Sequence, residues 1–228
     1  MGGVEPIHES ALQKRRPRSL YLQFMNRRSI RLLQYDYSTP GSYFITTCTY
    51  DRRCLLGRIE RSEILLSPQG KIVSTHWRNI ARYYPNASLD AFQVMPNHVH
   101  AVIVIHSEAP THLEPIHESA LPLAHELSYV QSPVNPFRLP SLLDMLSHEQ
   151  WKKARRQMLL SSIIGRLKMQ TAKAINTLQA SPGTAFWQED YYEHIIRGQH
   201  ELQAIRKYIA QNPDNWGDDP ENPYCGCP

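Results

Sequence analysis

The sequence predicts an α+β domain, an antiparallel sheet covered by helices. Three observations carry that expectation. Short runs rich in β-branched and aromatic residues alternate with amphipathic segments in the order strand, helix, strand, strand, helix, strand, helix. Two of the strand runs, Leu89–Met95 and His98–Ile105, are separated only by Pro96-Asn97 and therefore form a tight antiparallel pair. Apolar residues make up 41% of the chain, enough for one substantial core.

The elements follow in order. Tyr43–Thr49 (YFITTCT) is aromatic and β-branched and reads as a strand. Ser67-Pro68 is a helix start, with serine as N-cap and proline at the first helical position. Ile72, Val73, His76, Trp77 and Ile80 then trace a helical stripe. After the paired strands a second helix begins near Ser161 and carries Ile164, Leu167, Lys168 and Thr171. Phe186–Ile196 (FWQEDYYEHII) reads as a strand or extended segment. A last helix runs from about Gln199 to Gln211, with Leu202, Ile205 and Ile209 on one face, and Pro213 stops it. The four tryptophans, Trp77, Trp151, Trp187 and Trp216, read as core or half-buried residues, and Gln188 and His194 as packing or hydrogen-bonding ones.

Within the 228 residues no apolar run approaches the roughly 18 residues of a membrane span, and the basic N-terminus lacks the apolar stretch of a signal peptide. A cytoplasmic protein is expected. The four cysteines, Cys48, Cys54, Cys225 and Cys227, have no zinc-type spacing and read as reduced thiols. Net charge is +4, and the bases are clustered. Lys14, Arg15, Arg16, Arg18, Arg27, Arg28 and Arg31 form one acid-free block, and Lys152, Lys153, Arg155, Arg156, Arg166, Lys168 and Lys173 form another beside Glu149 alone. Such blocks suit a polyanion, because each neutralised phosphate releases condensed counterions; a solvated charged face is the other reading. The candidate DNA contacts are Lys14, Arg15, Arg16, Arg27, Arg28, Arg166, Lys168 and Lys173.

One segment repeats without change: Glu5–Leu12 and Glu114–Leu121 are both EPIHESAL. The second copy lies in a stretch from Ser107 to Pro140 whose prolines rule out a long helix. The expected organisation is a basic arm over 1–34, a single domain over 35–216 with a Pro-rich insertion at about 107–157, and an acidic tail over 217–228.

Chemistry concentrates at two places. His98-Val99-His100 lies on a predicted strand, where alternate residues share a face, so both imidazoles can reach one divalent ion. An isolated pair of this kind also fits two histidines on a half-exposed strand. On the last helix Tyr208 and Asn212 are four apart and share a face. If that face meets the histidine strand, Asn212 can offer a carbonyl oxygen to the ion and Tyr208 stands one turn away as a nucleophile. A phenol needs help to ionise at neutral pH; Arg206, Lys207 and the ion are the candidate sources.

These residues resemble a family. Met95-Pro96-Asn97 followed by His98-Val99-His100 is similar to the HUH motif of single-tyrosine transposases. Tyr208-Ile209-Ala210-Gln211-Asn212-Pro213 is similar to their nucleophile helix, and Phe186–Gln188 with Tyr191–Arg197 to the segment before it. The best match is to the REP-associated tyrosine transposases, over roughly residues 35–106 and 158–216. The resemblance implies a ferredoxin-like fold with the HUH pair on a central strand and the tyrosine on a C-terminal helix. It implies His98, His100 and Asn212 as ligands of Mg²⁺ or Mn²⁺ and Tyr208 as nucleophile. The partner would be single-stranded DNA hairpins of palindromic repeats, nicked and rejoined through a 5′-phosphotyrosine, by a monomer or a homodimer. A repeat-binding protein without cleavage activity and a phosphoesterase using activated water are the competing expectations.

Overall fold

The computed structural model describes residues 35–107 and 148–222. The basic N-terminal arm, both EPIHESAL copies, the prolines of 110–140 and the Cys225/Cys227 tail lie outside the described residues.

Six strands and five α-helices are present among the described residues: β1 (Gly41–Cys48), β2 (Gly57–Glu60), β3 (Glu63–Leu66), α1 (Pro68–Arg78), α2 (Ile80–Tyr83), β4 (Ala87–Val94), β5 (His98–Ile105), α3 (His148–Gln157), α4 (Leu159–Leu178), β6 (Tyr192–Ile196) and α5 (Gln199–Gln211). Four strands form one antiparallel sheet in the order β4-β5-β1-β6; β2 and β3 make a separate hairpin. Strands β1, β4, β5 and β6 with helices α1 and α4 give the β-α-β-β-α-β ferredoxin-like topology. The α+β sheet-and-helix fold is thus the one the sequence predicts, and His98 and His100 sit on β5, a central strand.

Strand alternation divides the core in two. Tyr43 and Ile45 of β1, with Val99, Ala101, Ile103 and Ile105 of β5, pack with Val73 and Trp77 of α1, Ile80 of α2 and Leu160, Ile163, Ile164 and Leu167 of α4. Phe44, Val102, Tyr192 and Ile196 look the other way and bury the Leu202–Ile205–Ile209 stripe of α5. The histidines share this second face, so α1, α2 and α4 lie behind the sheet and α5 lies over the site.

Helix α1 starts as expected, with the Ser67 hydroxyl accepting from the Gly70 N–H at 3.1 Å and Pro68 leading. Gly70 is required by close approach: a Cβ there would stand 2.0 Å from the Leu56 carbonyl oxygen. Helix α4 begins two residues before the expected start. Its first N–H groups are taken by distant partners, Leu159 by the Ser38 hydroxyl at 2.9 Å and Leu160 by the Tyr37 carbonyl at 3.2 Å. The segment 186–196 is regular only from Tyr192. Before it, Trp187 makes a single bridge with Thr49, and the carbonyls of Gln188, Glu189 and Asp190 converge on the Lys168 ammonium. Among the described residues no helix is long and apolar enough to cross a membrane.

Candidate metal and nucleophile site

The site is built on the Pro96-Asn97 turn and the first residues of β5. Asn97, His98 and His100 are fully buried. The Asn97 amide nitrogen donates to the carbonyls of Arg52 at 3.0 Å and Glu221 at 2.5 Å. That fixes its orientation, so its oxygen faces His98 Nδ1 at 2.8 Å and accepts from it. With the proton on Nδ1, a neutral His98 ring presents a bare Nε2 lone pair. His100 shares a hydrogen bond through Nδ1 with the Thr46 hydroxyl at 2.9 Å, from the adjacent β1. The two Nε2 atoms then meet at 3.0 Å.

Burial disfavours the charged form of both rings. His98 is held well below the ordinary histidine range by desolvation, with smaller contributions from His100 and Arg52; desolvation brings His100 to about 3. Both are neutral at physiological pH, the state a metal ligand needs.

Helix α5 brings Tyr208 and Asn212 to the same place. The Tyr208 hydroxyl is 3.2 Å from His100 Nε2, and the phenol stands edge-on to that imidazole with centroids 5.2 Å apart. Asn212 is buried; its amide nitrogen donates to Asp219 Oδ2 at 2.8 Å, while its Oδ1 has no hydrogen-bond partner. The structure therefore brings His98, His100, Tyr208 and Asn212 together within one chain.

Sequence reasoning missed a fifth member. The chain turns back after Asn212 through a 3-10 turn at Trp216–Asp218 and buries Asp219 and Glu221. Asp219 accepts from the Glu221 N–H at 2.7 Å, and its Oδ2 lies 4.0 Å from His98 Nε2. Glu221 receives Arg52 Nε at 3.0 Å and the Cys48 thiol at 3.4 Å, and Trp216 lies against His98 with centroids 6.0 Å apart. His98, His100 and Asp219 each offer a ligand atom within 4.8 Å of the others, and these three buried groups can hold a metal ion. The signal available in the sequence was proximity: Asp219 is seven residues beyond Asn212, but no periodicity announces the chain's return.

Two observations fit a divalent cation. The paired Nε2 atoms converge between two neutral rings, and the Asn212 carbonyl is a buried acceptor with nothing bonded to it. Ionising the phenol would take positive charge nearby. Burial raises the Tyr208 pKa, Asp219 and Glu221 raise it further, and only the hydrogen bond from Asn212 opposes them. Burial likewise raises the Asp219 carboxyl. Of the candidate sources of that charge, the two side chains are engaged or exposed elsewhere. Arg206 is gripped by Asp90, and Lys207 points outward on the exposed side of α5.

The basic residues of α4 lie behind the sheet. Arg166 is exposed and stacks over the Tyr83 ring at 4.5 Å, Lys173 is exposed, and Lys168 holds the three carbonyls before β6. Lys14, Arg15, Arg16, Arg27 and Arg28 fall outside the described residues.

Fold and site together define an α+β protein with a buried His-X-His pair on a central strand and a helix-borne tyrosine against it. No family model matches the sequence. The chain is 31% identical over 196 residues to an uncharacterized protein of Haemophilus influenzae (strain ATCC 51907 / DSM 11121 / KW20 / Rd), a match spanning 85% of this chain and 92% of that protein. The chain belongs to the same family as the Haemophilus influenzae protein. Among solved structures it is similar to a REP-associated tyrosine transposase bound to a REP hairpin, at 17% identity and a TM-score of 0.47, over 83% of this chain and 79% of that one. It is also similar to a candidate transposase from Deinococcus radiodurans R1, at 16% identity and a TM-score of 0.34, over 78% of this chain and 95% of that one.

Proposed function

We propose that this protein is a metal-dependent single-tyrosine nuclease and transposase that nicks and rejoins single-stranded DNA beside hairpins of palindromic repeats. The observation that carries this reading is the 3.2 Å approach of the Tyr208 hydroxyl to His100, inside a buried cluster suited to a cation. His98, His100 and Asn212 would hold Mg²⁺ or Mn²⁺, with Asp219 beside them. The bound ion supplies a Lewis acid for the scissile phosphate and the positive charge that the phenol lacks. Nitrogen ligands alone would suit several transition metals; the amide and carboxylate oxygens shift the set toward Mn²⁺ and Mg²⁺.

Tyr208 Oη attacks phosphorus; the bond to the 3′ oxygen breaks, and the phenol's proton ends on that oxygen. The products are a 5′-phosphotyrosine and a free 3′-OH. One phosphodiester replaces another, so the reverse step rejoins a strand without an energy source. His98 and His100 stay neutral and oriented through Asn97 and Thr46, and α5 keeps the hydroxyl in reach. The exposed bases Arg166 and Lys173 would neutralise backbone phosphates of the hairpin.

The test is incubation with labelled hairpin DNA and Mn²⁺ followed by denaturing electrophoresis. A covalent adduct in wild type that disappears in Tyr208→Phe supports the proposal. Cleavage persisting in Tyr208→Phe points instead to activated water, and hairpin binding without cleavage to a repeat-binding protein.

A further inference from the structure

Helix α5 is tied to both edges of the sheet it crosses. At its N-terminal end Glu201 accepts from the Arg197 N–H at 2.7 Å and contacts His194 Nε2 of β6 at 2.7 Å. Toward the other end Arg206 forms a two-pronged contact with Asp90 of β4, Nε to Oδ1 at 2.7 Å and Nη2 to Oδ2 at 2.5 Å. Strands β6 and β4 are opposite edges of the sheet. A forked guanidinium–carboxylate pair fixes direction as well as distance.

A local irregularity places Asp90. Leu89 pairs with Ile103 and Phe92 with Ala101, so Asp90 and Ala91 together oppose Val102 alone, a β-bulge. Leu89 and Phe92 both pack behind the sheet, while Ala91, like Val104 and Tyr208, packs against the buried cluster on the α5 side. The bulge thus turns two consecutive residues toward α5, a small one beneath the Tyr208 cluster and an acid against Arg206. The Asp90 side chain is 16% exposed and that of Arg206 32%, so the pair is partly withdrawn from water.

On α5, Arg206 and Tyr208 are about 200° apart around the axis and flank the buried Leu202–Ile205–Ile209 stripe on opposite sides. A helix lying on an apolar stripe can roll about it. Anchoring the Arg206 flank opposes that roll, and the roll is the motion that would carry the Tyr208 hydroxyl away from His100. We infer that Asp90 and Arg206 are positioning residues, a bulge-borne clamp that holds the nucleophile helix in register over the histidine pair of its own chain. This rests on Tyr208 being the nucleophile.

The variants to compare are Asp90→Asn, Arg206→Gln and the double reversal Asp90→Arg with Arg206→Asp, in the full chain with Mn²⁺ and a labelled hairpin. A reacting atom displaced by about 1 Å loses roughly 100-fold in rate. Each single variant is expected to lower the adduct-forming rate at saturating hairpin by about 10- to 100-fold. Hairpin and Mn²⁺ affinities should stay within about 2-fold, since neither residue touches the histidines. Hydrogen exchange should quicken in the α5 amides and not in α4, and the reversal should recover most of the rate. An unchanged rate overturns the clamp, as does a fall matched by lost hairpin affinity and lost α4 protection, or a reversal that recovers nothing. If wild type forms no adduct, the nucleophile assignment fails instead. Hydrogen exchange then decides the clamp alone, and unchanged α5 protection in Asp90→Asn overturns it.

Discussion

Asn97 and His98 are adjacent in sequence and joined by a hydrogen bond that sets the state of the site. Because the Asn97 amide nitrogen is committed to the Arg52 and Glu221 carbonyls, its oxygen can only accept from His98 Nδ1. The same side chain thus orients a candidate ligand and pins the returning C-terminal segment. Groups in this supporting position typically alter metal affinity by about 10- to 100-fold. Asn97→Ala is expected to weaken Mn²⁺ binding by about that factor. It should also cost about 2–3 kcal/mol of stability, because buried polar groups lose their partners. Titration calorimetry and urea unfolding check the two effects separately. Unchanged Mn²⁺ affinity would remove Asn97 from the site.

The ligand set is tested by thermal shift. A ligand at 100 times its Kd stabilises by about 2.7 kcal/mol. Mn²⁺ should raise the thermal midpoint of wild type, and His98→Ala and His100→Ala should abolish the rise. Asn212→Ala is expected to reduce it, since the orphaned Oδ1 would otherwise be satisfied by the ion. Asp219→Asn separates a carboxylate ligand from a neighbour: a large loss of the shift makes Asp219 a ligand, and a full shift leaves it as the partner that orients Asn212.

What was legible in the sequence was what is local. The His98–His100 face follows from strand alternation, and Tyr208 with Asn212 follows from helical spacing; the structure brings all four together. The β2–β3 hairpin was not foreseen because its turn, Arg61 and Ser62, adopts φ of 50° and 66° without the glycine or asparagine that usually signals it. The early start of α4 depends on Ser38 and Tyr37, far away in the chain. Lys168 read as a candidate DNA contact, yet its ammonium gathers loop carbonyls. Asp219, Glu221 and the bulge at Asp90-Ala91 gain their meaning only from the tertiary arrangement.

Gly70 gives a test of the fold that leaves the site untouched. A methyl group there would meet the Leu56 carbonyl carbon at 3.0 Å and its oxygen at 2.0 Å, and backbone yields less readily than a side-chain tip. Alanine normally favours a helix, so the substitution should stabilise if local propensity dominates. Overpacking is expected to win and cost about 1–3 kcal/mol. Urea unfolding of Gly70→Ala decides by its sign.

The buried histidines also make the metal-free protein acid-sensitive. In the unfolded chain a histidine takes up its proton near pH 6.5. In the folded protein burial holds His98 far below that value and His100 at about 3. Below pH 6.5 the unfolded state therefore binds more protons, so stability is complete above that pH and falls as the pH drops toward the folded values. Each histidine contributes a slope of up to about 1.4 kcal/mol per pH unit. Asp219 acts in the opposite sense, because burial raises its folded pKa and its contribution is lost as the pH rises. In chelator-treated protein the urea midpoint should decline between pH 6.5 and 5, and His98→Gln with His100→Gln should flatten the decline. A midpoint that holds steady across this range in wild type would mean that the two rings take up protons in the folded state, which the convergence of their Nε2 atoms at 3.0 Å opposes.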